Sequence, residues 1–141
     1  MDEHERLAFE RAIAENGVPA GQVRVLDADV SEDGQAALAL AMINPGADPY
    51  PMISFQEAYD GEWNDLVLTE ADDAAANWAA DRWVSYVSGE APAGASSVLV
   101  DQGGRSKRRP VVEGRFVAAF WFPRGGPEDA PPDPPAVVRF D

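Results

Sequence analysis

The sequence contains no cysteine and a single histidine, His4. The first absence excludes disulfide frameworks, thiolate nucleophiles, Cys-ligated zinc and iron–sulfur clusters. The second excludes any site that needs two imidazoles. His4 lies between Glu3 and Glu5 in what reads as a first helical turn, an exposed position rather than a pocket beside a nucleophile. Ser–Lys chemistry has only Lys107 to draw on, and an extended backbone would turn it away from the adjacent Ser106. Long apolar runs are missing too. The longest, Ala36–Ile43 and Phe116–Phe122, fall far short of the roughly 20 residues a membrane-spanning helix needs. The N-terminus, Met1-Asp2-Glu3-His4-Glu5-Arg6, is acidic and leads into no hydrophobic stretch, so neither a secretory signal nor a transit peptide is expected, and the cytoplasm is the default location.

Positive charge is the other scarcity. There are 11 basic against 25 acidic side chains, a formal net charge of −14. Such a field repels nucleic acid and anionic membranes, and it favours solubility, cationic partners or divalent ions. The imbalance is uneven. Residues 1–70 carry 15 acids and 3 bases, a net −12, and residues 71–141 carry 10 acids and 8 bases, a net −2. Ten of the eleven bases are arginine, and with abundant Ala, Gly, Asp and Pro this composition suggests a GC-rich bacterial coding sequence.

What is present is enough for a core. Apolar residues make up 45% of 141 positions, four of them tryptophan, an ordinary proportion for one globular domain or two small ones. Asp2 with Glu5 has the form of a capping box, and Asn16-Gly17 followed by Pro19 is a stop signal. One short helix is expected between them, with Ala8, Phe9, Ala12 and Ile13 on its apolar arc. Residues 22–30 and 35–43 read as strands joined by Ser31-Glu32-Asp33-Gly34. In the second run Leu38, Leu40 and Met42 alternate with Ala37, Ala39 and Ala41, giving a bulky face and a small face on which the helix can approach closely. Strands near 50–59 and 62–68 flank the Asp60-Gly61 turn. The first half, residues 1–70, is therefore a helix plus a four-strand meander.

Residues 71–81 are alanine-rich without alternation and read as a linker or short helix. Beyond them, short strands near 82–88, 97–102, 108–113, 115–122 and 136–140, separated by Gly and Pro clusters, indicate a small antiparallel sandwich. The unbroken apolar run Phe116–Phe122, closed by Pro123, reads as a strand covered on both faces and central to the core. Residues 125–135 are proline-rich and read as a mobile, partly polyproline loop. The overall class is mainly β, with α+β character at the N-terminus.

Gly89-Glu90-Ala91-Pro92-Ala93-Gly94-Ala95, Val98-Leu99-Val100, Val112-Glu113-Gly114-Arg115-Phe116 and Val137-Val138-Arg139-Phe140 together give residues 82–141 a pattern that resembles small immunoglobulin-like β-sandwich modules of uncharacterised actinobacterial proteins. The resemblance implies an architecture and carries no catalytic residues with it.

Four candidate constellations follow. Asp27-Ala28-Asp29 through Gly34 resembles a calcium loop in acid content, but Glu32 and Leu38 stand where an EF-hand needs Gly and Glu. Glu57, Asp60, Glu62 and Asp65 gather carboxylates around the second hairpin, as paired acid–base chemistry requires, although so acidic a chain assembles such groups by composition alone. The one basic concentration, Arg105, Lys107, Arg108 and Arg109 after Gly103-Gly104, is a candidate grip for an acidic partner or phosphate; alternatively it guards a hairpin against edge pairing or lies against acidic residues of the first half. Trp78 and Trp83, with Trp121, Phe116, Phe120 and Phe122, are candidates to line an apolar pocket between the halves, or else core. No cofactor or metal is implied. The expectation is a non-catalytic binding or protein-interaction protein without direct nucleic-acid or membrane binding. The alternatives are an acidic inhibitor, immunity or nucleic-acid-mimic protein, or a small-molecule carrier or enzyme.

Overall fold

The computed structural model describes every residue except 20, 123–125, 132 and 136. It is mainly β with one N-terminal helix, as the sequence patterning indicates, and it divides into two compact units, Met1–Ala71 and Asp72–Asp141. No helix among the described residues is long and apolar enough to cross a membrane.

In the first unit, helix α1 spans Glu3–Glu15. The Asp2 carboxylate accepts the Glu5 N–H at 2.8 Å, satisfying one of the amides that a helix start leaves without a partner. The helix ends where the Asn16 N–H turns back to the Ile13 and Ala14 carbonyls and Gly17 takes φ +104°, a conformation a side chain would strain. Its buried face is Phe9, Ala12 and Ile13.

That face rests on an antiparallel meander in the order β1 (Val23–Val30), β2 (Ala36–Ile43), β3 (Tyr50–Tyr59) and β4 (Glu62–Glu70). Phe9 and Ile13 share one core with Ala37, Ala39 and Ala41 of β2, flanked by Val23, Val25 and Ile43. Methyl-sized residues let the helix sit close, and the large helical side chains supply the volume. Trp63 of β4 closes one side, its ring 4.9 Å from that of Phe9. Burying Phe9 and Ile13 contributes about 1.5–3 kcal/mol each. Leu38 and Leu40, on the other face of β2, are fully buried as well, so this strand is covered on both faces. Two bulges break the ladder, where Leu26 of β1 and Leu66 of β4 are extra residues without an opposite partner.

The second unit holds two three-stranded antiparallel sheets. One has the order β5 (Ala74–Ala79), β6 (Arg82–Glu90), β9 (Arg115–Phe122); the other has β10 (Val137–Phe140), β7 (Ser97–Gln102), β8 (Arg105–Pro110). Val98 and Val100 of β7 form a core with Phe116, Ala118 and Phe120 of β9, and Val87, Val138 and Phe140 pack around it. Phe116 and Phe140 meet edge-on with centroids 5.5 Å apart. Arg115, opposite Glu90 on the neighbouring strand, bonds both Glu90 and Asp72 and so ties the start of the unit to its ladder.

The structure departs from the sequence expectations in two places. Residues 71–81 contain a strand, β5, instead of a helix or linker. Its hairpin turns on Ala80 and Asp81, both at positive φ (+55° and +57°), and it is held by Trp78 directly opposite Trp83. The basic segment is a strand from Arg105 onward, so β8 begins earlier than the strand near 108–113, and Glu113-Gly114 forms the following turn. As the sequence indicates, β9 is buried on both faces and contributes Phe116, Ala118 and Phe120 to the core; within its sheet it is an edge strand, because apolar runs report covered faces and are silent about ladder neighbours. The 125–135 segment has no strand or helix among its described residues, and it is tied to the second unit through Gly126 and Asp133. Pro123, Gly125, Pro132 and Ala136, to which the strand-closing, loop and last-strand expectations also refer, lie outside the described residues.

Candidate binding surfaces

Strand alternation divides the basic segment. Gly103 and Gly104 make the turn at φ +47° and +85°, a pair of positive values that two-residue hairpins require. From there Arg105, Lys107 and Arg109 point one way. Their nitrogens donate to three alternate carbonyls on the free edge of β9: Arg105 Nη2 to Trp121 at 3.3 Å, Lys107 Nζ to Ala119 at 2.5 Å and Arg109 Nε to Val117 at 3.1 Å. The Arg105 guanidinium also lies 4.9 Å from the Phe122 ring centre, and the Lys107 ammonium 5.7 Å from that of Phe120, within cation–π range. Arg108 points the opposite way, bonded to Ser97 Oγ and paired with Asp141. The four cations therefore do not converge on one point. Three of them form a row over a strand edge.

The aromatic set is likewise distributed. Phe116 and Phe120, with Phe122 packed against them, belong to the core of the second unit. Trp78 and Trp83 form an edge-on pair with centroids 5.9 Å apart, and Trp83 Nε1 donates to the Gly126 carbonyl at 3.2 Å. Trp121 is buried, and its Nε1 finds no hydrogen-bond partner among the described residues.

The acidic candidates also acquire definite places. Asp27 and Asp29 are buried within β1 and are not part of a loop. Asp33 organises the first turn by accepting from Ser31 Oγ and the Gln35 N–H. Asp65 accepts from Ser54 Oγ at 2.5 Å and from the Asn16 amide at 3.0 Å, in a chain that runs inward from the surface through Gln56 Nε2 to the Phe9 carbonyl. Glu62 pairs with Arg11 at 3.8 Å. Among the described residues, no three His, Cys, Asp or Glu side chains come together as metal ligands. His4 is exposed.

Sequence reasoning missed the concentration of acids at one end of the first unit. In an antiparallel meander the β1–β2 and β3–β4 turns fall at the same end, and the Ala58 N–H bonded to the Gln35 carbonyl at 2.9 Å joins them. Arg11 of α1 reaches Glu62 near the β3–β4 turn and Asn16 reaches Asp65 farther along β4, while Glu10 accepts the Val25 N–H toward the other end of β1. Exposed Glu32, Asp60 and Glu62 therefore share that end of the meander with Tyr59, which is 73% exposed. Arg11, the base that reaches this end, is already paired with Glu15 and Glu62. The signal was available in the two turn positions, which an antiparallel meander brings to one end.

Comparison with known proteins finds no family model, no curated protein and no solved structure that matches the chain.

Proposed function

We propose that this is a non-catalytic binding protein whose acidic first unit engages a cationic partner. The observation that carries the reading is the gathering of exposed carboxylates from two turns at one end of a hydrogen-bonded antiparallel meander, with an exposed tyrosine among them. Fixed like charges on a rigid scaffold raise the association rate of an oppositely charged partner and select against others. Tyr59 adds an aromatic face for a guanidinium or ammonium group. The basic residues favour the same division of labour, since Arg105, Lys107 and Arg109 serve the fold and leave recognition to the acidic unit.

The test is binding of an arginine-rich peptide to the full chain by calorimetry across a salt series. Affinity should fall steeply as salt screens the charges. It should drop about tenfold or more in a Glu32→Lys/Asp60→Lys/Glu62→Lys variant, and hold when Arg108 and Arg139, on the other unit, are replaced by alanine. Salt-independent binding, or binding untouched by the triple reversal, would discard the reading.

A further inference from the structure

Sheet edges expose unpaired amides and carbonyls, and proteins guard them with lysines, bulges or covering side chains. In this molecule the guards are visible. The free edge of β9 has its carbonyls covered by Arg105, Lys107 and Arg109. The Val25 N–H of β1 is taken by the Glu10 carboxylate at 3.0 Å. On β4 the Asn16 amide covers the Asp65 carbonyl at 2.6 Å, and the bulge at Leu66 follows.

Past that bulge the guarding stops. Leu66–Glu70 pairs only with β3, and among the described residues no side chain bonds to its backbone. β4 carries Glu62, Asp65 and Glu70 and neither lysine nor arginine. Leu66 and Val67 are 42% and 47% exposed, two adjacent apolar side chains on an open edge.

From these observations we infer that Leu66–Glu70 is a docking edge for an extended, lysine- or arginine-bearing segment of a partner protein, which adds as a fifth strand beside β4. Main-chain hydrogen bonds supply affinity in this mode, and alternate side chains supply selectivity. The charge on the edge chooses the occupant. A second copy would bring the same acids, Glu62, Asp65 and Glu70, and no lysine or arginine to the pairing, and like charges brought together across strands are destabilising. A cationic strand meets those carboxylates favourably, and a β-branched residue on it covers Val67. The inference rests on the binding function proposed above and locates its contact.

Isotope-labelled full-length protein is titrated by NMR at low salt with the extended peptide Lys-Thr-Val-Lys-Val-Thr-Lys. The same peptide with prolines in place of both valines, and a version with glutamate in place of lysine, serve as comparisons. The valine peptide should shift the backbone amides of Leu66–Glu70 and bind about tenfold more tightly than the proline peptide, which cannot complete a ladder. The glutamate peptide should not bind. Equal affinity of the valine and proline peptides, or shifts confined to residues 32–33 and 60–62, would overturn the docking edge while leaving the acidic-surface reading in place. Failure of both cationic peptides to bind would overturn both. Val67→Lys, which supplies the missing guard, should weaken the valine peptide about tenfold with the melting temperature unchanged; undiminished affinity in the folded variant would also reject the docking edge.

Discussion

Individual residues in unusual conformations set some of the local energetics here. Ala80 holds φ +55° at the β5–β6 turn, a region where an L side chain crowds its own carbonyl at a cost of roughly 1–2 kcal/mol. Replacing it with glycine removes that crowding at the expense of a more flexible unfolded chain, so Ala80→Gly should stabilise by about 1 kcal/mol and raise the melting temperature by about 4 °C. Tyr86 acts through its surroundings instead of its conformation. Burial raises its phenol above the ordinary 10.0, the Asp73 carboxylate adds to the rise, and a hydrogen bond with Asn77 partly offsets it. A raised folded-state value means the native protein holds the proton more tightly than the unfolded chain does. The resulting stability is therefore complete below pH 10 and is lost as pH rises through the folded value. Tyr86→Phe should flatten that alkaline decline in urea-unfolding curves measured across pH; an unchanged slope would show that the group does not titrate with unfolding.

Elements show which physics a sequence makes visible. The helix, the four-strand meander and the small face beneath α1 were legible because capping, Asp-Gly turns and the Ala37-Ala39-Ala41 alternation are local signals. Strand β5 was hidden because its turn residues are Ala80 and Asp81 in place of asparagine and glycine, and its stabilising partner Trp83 lies across the turn. Ser54 and Gln56 carry no local sign of burial, yet both are buried in a hydrogen-bonded chain that reaches the Phe9 carbonyl of α1. The basic segment was legible as edge-related chemistry, but the strand it guards, β9, lies in the other sheet, and no local pattern encodes that. The row predicts a contrast. Lys107→Met keeps an aliphatic chain near Phe120 but leaves the Ala119 carbonyl without its donor, and should cost about 1–3 kcal/mol. Arg108→Ala removes a pair whose arginine side chain is 54% exposed, and should cost under about 1 kcal/mol. Chemical denaturation of the two variants side by side checks the ordering, and equal losses would refute the role of the row.

At the scale of the whole molecule, the two units differ in charge and in wiring. The first concentrates acid, and the second, near neutrality, spends cations on its own strand edges. Their connectivity differs just as much. Each strand pair of the first unit joins sequence neighbours, whereas the second requires β6 to find β9 and β7 to find β10 across intervening chain. Closing those longer loops costs entropy before any contact rewards it, and this slows folding. The topology thus sets an order in time. During synthesis, residues 1–71 emerge first with all their pairing partners in hand, and the second unit must wait for its last strand at Val137–Phe140 before its second sheet is complete. In refolding from denaturant, burial of Trp63 should report a fast phase and burial of Trp78, Trp83 and Trp121 a slower one. Single-tryptophan variants would separate the two rates, and coincident phases would mean that the chain folds as one cooperative body despite its divided wiring.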